Sequence, residues 1–226
     1  MRKILILLGF VLCGVFYTAP ASAQLRCSAS TPSLSVKTST TNTKYIRTKS
    51  AKDLTEIHGG HGSTVGGLGG GEIGFKAETR FEVASQGSQA CVKLKSVDVT
   101  FFAKPEIHIA KNFGRGTCEY SAVLAHEQGH IRILRKFVRE YSPKVKQELR
   151  RIVRQLDTSI GPMSRSKVEV TQNRLQKQFI TKLEQYQDKI MPILEARQKR
   201  FDSPEEYKRV ASKCRKWDQR LGSQNQ

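Results

Sequence analysis

Along residues 73–85 the apolar side chains Phe75, Ala77, Phe81 and Val83 alternate with Lys76, Glu78, Arg80 and Glu82. A period of two puts one set on each face, so the stretch predicts a half-buried strand. Residues 91–102 alternate in the same way through Val92, Leu94, Val97, Val99 and Phe101. Gln86-Gly87-Ser88 between them suits a turn, and the two runs predict an antiparallel hairpin. Residues 105–110 read as a third short strand. Pro105 at its start favours a sheet edge, where an extended peptide can be added as a further strand. The Ser/Thr-rich residues 24–48 read as an exposed lead-in with one or two strands, near 34–38 and 43–48. Residues 50–57 read as a short helix with Leu54 and Ile57 inward. The glycine-rich run 58–71 predicts a flexible loop, and it lacks the Gly-Lys-Ser/Thr ending of a phosphate loop.

From residue 117 the period changes. Val123, Leu124, Ile131, Leu134 and Val138 recur at helical spacing, with Ile133, Phe137 and Tyr141 in the adjoining stripe. Thr117 suits an N-cap and Glu119 the first turn. Ser142-Pro143 reads as a helix restart, followed by Val145, Leu149, Ile152, Val153 and Leu156. Residues 157–164, with Gly161-Pro162, read as a turn. Leu175, Phe179, Leu183, Tyr186, Ile190 and Ile193 mark a long helix that Pro192 should kink or end. Ser203-Pro204-Glu205-Glu206 is a capping box opening a last helix toward Cys214 and Trp217. The fold class is therefore α+β: a small antiparallel or mixed sheet packed on the helix from residue 117, followed by a helical C-terminal region. Residues 24–160 read as one domain, and 161–226 as a basic helical extension packed on it.

Composition adds a compartment. Arg2 and Lys3 precede an apolar run from Ile4 to Tyr17, and Ala21-Ser22-Ala23 offers a cleavage site, so residues 1–23 read as a secretory signal peptide. No later stretch is apolar enough to span a bilayer, and the mature chain is expected in the periplasm or outside the cell. Its 37 Lys and Arg stand against 20 Asp and Glu, a net charge of +17, of which +13 falls in residues 131–226. Such a surface would be drawn to an anionic cell envelope, although a solvated basic helix surface accounts for it as well. No zinc-finger spacing or aromatic RNA-binding motif points to specific nucleic-acid binding. Cys27, Cys91, Cys118 and Cys214 remain after cleavage, an even number that suggests two disulfides. Three pairings are open; Cys91–Cys118 with Cys27–Cys214 is the one favoured here.

The chemistry is carried by A-H-E-Q-G-H, within residues 122–134. His126 and His130 are four apart, so a helix points both imidazoles to one side, with Glu127 beside them. This is the spacing of two zinc ligands and a general base. A catalytic zinc takes a third protein ligand. It cannot follow in the H-E-x-x-H-x-x-G-x-x-H style, because Ile133 and Lys136 occupy those places. His58, His61 and His108 are more readily explained as ordinary exposed or strand histidines.

The segments V-T-F-F-A-K-P-E-I-H-I-A and C-E-Y-S-A-V-L-A-H-E-Q-G-H resemble the bacterial secreted zinc-dependent proteases, small zincins of gluzincin type. The resemblance covers about residues 40–150. It implies a sheet packed on the metal helix, with His126 and His130 as ligands and Glu127 as catalyst. By the gluzincin arrangement it also points to Glu148, on the following helix, as third ligand, with Glu169, Glu184, Glu140, His108 and His61 as the alternatives. The function expected is a secreted or periplasmic zinc metallopeptidase acting on a peptide or protein substrate. Lys and Arg near its cleft would suit an acidic or polymeric one. The alternative is a non-enzymatic envelope protein with a structural or vestigial metal site.

Overall fold

The computed structural model describes residues 24–29, 31–58, 64–217 and 219. The expected signal peptide lies outside them, as does His61. The elements are β1 (Ser33–Thr40), β2 (Lys44–Ile46), α1 (Ala51–Ile57), β3 (Gly67–Gln86), β4 (Gln89–Ile109), α2 (Cys118–Arg154), β5 (Ser159–Ser164), α3 (Val168–Phe201) and α4 (Pro204–Ala211). The class is α+β, with a five-stranded mixed sheet.

β4 is the axis of that sheet. β3 runs antiparallel along one side of it, joined by a turn in which Gly87 has φ +57°. The other side is shared. β5 pairs antiparallel with the first residues of β4, β1 parallel with Ser96–Ala103, and β2 parallel with Glu106–His108. Val97, Val99, Phe101, Ile107 and Ile109 are all buried on one face of β4, and α2 lies across that face.

Five expectations are corrected. Residues 105–110 are the end of β4 and central in the sheet, so they form no separate edge strand. Pro105 is tolerated because it falls between the residues paired with β1 and those paired with β2, where no partner needs its missing N–H. The edge is β3, which pairs only with β4 among the described strands. Its first five residues, Gly67–Gly71, belong to the run read as a loop; they pair with Pro105–Ile109. The turn expected at 157–164 contains β5. The disulfides are Cys27–Cys91 and Cys118–Cys214. Cys91 lies 18 residues before the end of β4, roughly 60 Å of strand away from the start of α2, so it cannot meet Cys118.

The fifth correction concerns the helices. α2 is one helix of 37 residues and passes through Pro143; α3 is one helix of 34 and passes through Pro192. The proline costs α2 about 3 kcal/mol. Tyr141, Val145 and Leu149 around it are buried against Phe179, Leu183 and Ile190 of α3 and the sheet. At about 1.5–3 kcal/mol per buried side chain, that packing outweighs the break. α3 runs back antiparallel to α2, with Lys182 bonded to Gln155 and Gln198 to His130. Phe179, Leu183, Ile190 and Leu194 of α3 share one core with α2 and β4.

A continuous α2 has a consequence for stability. Pro143→Ala restores a helical N–H and should raise unfolding free energy by about 1–3 kcal/mol. The shift in denaturation midpoint measures it. No increase would mean that the helix is interrupted at residue 143.

Candidate metal centre

α2 begins at Thr117, whose hydroxyl accepts from the Tyr120 N–H. Two turns on, His126, Glu127 and His130 face inward, each no more than 6% exposed. Their Nε2 atoms lie 3.3 Å apart. Between them stands Asp202, just past the end of α3, with Oδ1 2.8 Å from Nε2 of His130 and 3.1 Å from Nε2 of His126. His126, His130 and Asp202 together can hold a metal ion. Donors about 2.0–2.1 Å from a tetrahedral ion are about 3.3 Å from one another, so these separations fit.

The far side of each imidazole is also held. Nδ1 of His126 donates to Glu206 of α4 at 3.1 Å, and Nδ1 of His130 donates to Gln198 of α3 at 2.6 Å. Holding Nδ1 in this way turns Nε2 toward the ion and fixes the tautomer a ligand needs. Glu206 is gripped in turn by Arg209. Phe201 stacks on His126, with ring centroids 5.0 Å apart and planes 14° apart, and meets His130 edge-on. It fits there because residue 129 is glycine. A Cβ at Gly129 would overlap the Phe201 ring.

β3 crosses over Glu127 just as closely. A Cβ on Gly67 would lie 2.7 Å from Glu127 Oε1, and one on Gly69 would lie 2.6 Å from the Glu127 backbone oxygen. Glycine lets the strand pass, and the Gly69 N–H donates to the Glu127 carboxylate. Above these groups opens a cleft of about 220 Å³, lined by β3, α2, α4 and Trp217.

Electrostatics follow from burial and crowding. Burial pushes Glu127 up to about 7, against the pull of His126 and His130. Burial alone would raise Asp202 and lower both histidines. The hydrogen bonds between them reverse this: Asp202 is held at about 2, and His126 and His130 are raised. Arg209 first, and then His126, hold Glu206 at about 2. Burial, with Asp202 and Glu127 nearby, pushes the Tyr207 phenol up to about 12.

The structure brings His126, Glu127 and His130 together and leaves Glu148 out. Eighteen residues past His130 on the same unbroken helix, Glu148 is roughly 27 Å away, and its carboxylate pairs with Arg151. Glu140 pairs with Arg197 and Lys136. Glu184 precedes Asp202 on α3 by another 27 Å or so of helix, and Glu169 by more. His108 lies on β4 beside Glu106, and His58 lines the cleft without belonging to the group of three donors. The residue missed is Asp202. Glu206 was read as part of a cap. Ser203 does accept from the Glu206 N–H, but the Glu206 carboxylate turns to His126.

No protein-family model matches the chain, and neither does any curated protein or solved structure.

The buried Glu127 makes the metal-free protein sensitive to pH. Its carboxyl titrates near 4.5 in the unfolded chain and near 7 in the folded one. The folded state therefore binds that proton more tightly, and stability falls as pH rises from about 4.5 through 7. Glu127→Gln should match the wild type at pH about 4.5 and exceed it by about 2–3 kcal/mol at pH about 8. Thermal melts across this range, in chelator, test it; a gap that does not widen with pH rules it out.

Proposed function

We propose that this chain is an exported zinc-dependent peptidase in which His126, His130 and Asp202 hold the ion and Glu127 is the general base. The observation that carries this reading is the position of Asp202 Oδ1 between the two Nε2 atoms, with a buried glutamate beside them. Two imidazoles and one carboxylate suit zinc. The donor count also favours chemistry over scaffolding. Structural zinc sites are closed by four protein ligands, whereas the three donors found among the described residues, at the base of a cleft, leave a position for water and substrate. The resemblance of H-E-Q-G-H and its flanks to secreted zinc proteases agrees. So do the two disulfides, which suit an oxidising compartment.

Held by His126, His130 and Asp202, zinc would polarise the scissile carbonyl and acidify a water. The protein's own groups do the rest. Glu127 takes the proton of the attacking water and delivers it to the leaving amine. A buried carboxyl beside the ion is placed to serve both halves of that transfer. The Gly69 N–H aims it, and Gln198 and Glu206 keep both imidazoles turned inward. Tyr207 keeps its proton through the neutral range and lines the cleft, as a donor to the carbonyl oxygen where negative charge develops. The edge of β3 beyond Gly69, whose own N–H is taken by Glu127, is where an extended substrate would pair.

Three variants separate binding from chemistry. Asp202→Ala should lower zinc affinity at least about 100-fold, whereas Glu148→Ala should leave it unchanged. Glu127→Gln should keep about one zinc per chain and lose peptide hydrolysis by about 100-fold or more. Isothermal titration and a quenched-peptide assay read these. Full zinc binding by Asp202→Ala, or no zinc in the wild type, sinks the assignment.

A further inference from the structure

The chain is strongly basic, yet among the described residues lining the cleft there is no lysine or arginine. The charged groups facing it are the histidines and two acids, Glu127 and Asp202. An acidic polymer, which the overall charge would attract, finds nothing there to pair with it. The lining on the upstream side of the metal centre is apolar instead. Val123 lies one helical turn before His126 and Glu127 on α2. Val210 lies one turn beyond Glu206 and Tyr207 on α4, and packs with Ala122 and Trp217. Trp217 packs on Phe113, with ring centroids 5.6 Å apart. The Cys118–Cys214 disulfide ties this C-terminal segment to the start of α2 and so holds the apolar wall in place.

We propose that Val123, Val210 and Trp217 form a pocket that selects peptides with a large apolar residue next to the scissile bond. This rests on the peptidase reading above and names the substrate class for it. The size agrees: an apolar cavity of about 150 Å³ accepts benzene, and the cleft offers about 220 Å³ for one side chain and the peptide group beside it. In the reaction the amide C–N bond breaks and a C–O bond forms from water. One proton goes to the leaving nitrogen by way of Glu127.

Trp217 is the only tryptophan, so its emission reports the pocket directly. The experiment uses four capped peptides that differ at one position: Phe, Leu, Asp or Lys. Binding is read by Trp217 fluorescence in zinc-loaded Glu127→Gln, and cleavage in the zinc-loaded wild type. The Phe and Leu peptides should bind at least about 10-fold more tightly than the Asp and Lys peptides and shift the emission. Val123→Ala, which deepens the pocket, should increase the preference for Phe over Leu. Equal binding of all four peptides, or a preference for Asp or Lys, overturns the proposal. Wild-type cleavage with no preference overturns it too and leaves the peptidase reading intact. If no peptide is cleaved, the peptidase reading fails, and the fluorescence series still decides whether the pocket takes apolar side chains.

Discussion

The candidate metal centre depends on one contact, the ring of Phe201 against the backbone of Gly129. α2 supplies two imidazoles and cannot by itself supply a third donor. Phe201 is the last residue of α3, and its ring lies flat on His126 only because nothing projects from residue 129. Asp202 follows it and is carried into the gap between the Nε2 atoms. The glycine of H-E-Q-G-H is thus a packing notch that sets the position of a ligand elsewhere in the chain.

The sheet performs the complementary task. Its glycine-rich edge strand presses on Glu127 from the other side and shields it from water, which is why that carboxyl holds its proton so firmly. The same burial would be ruinous for Asp202 without its two histidine partners. Two neighbouring acids are thereby pushed in opposite directions: burial raises Glu127 toward the protonated form, and the two histidines keep Asp202 anionic.

What could be read from the chain was local. Period-two alternation marked β3 and β4, period 3.6 marked α2, and the H-E-x-x-H spacing marked the two imidazoles and Glu127. What could not be read was set by helix length. The prolines at 143 and 192 suggested breaks, and a broken α2 made Glu148 the natural third ligand. The contrary signal was present: the apolar stripe stays in phase from Leu134 through Tyr141 and Val145 to Ile152. Two unbroken helices, about 55 Å and 51 Å long, joined by a short connection, bring the end of the second beside the start of the first. That places residue 202 next to residue 126. The cluster Asp202-Ser203-Pro204-Glu205-Glu206 was visible as a helix start, and its local hydrogen bonds explained it well enough to hide its second role.

Asp202 follows His130 by 72 residues, and this separation governs when the centre comes into being. A chain that has emerged only as far as α2 carries both histidines and Glu127 but no carboxylate between the imidazoles. The three donors converge only after α3 has doubled back, and Cys118 gains its partner twelve residues later still. The centre therefore cannot be complete until the chain as far as residue 202 is present, and its donors are gathered by the return of α3 rather than by the helix that bears the motif.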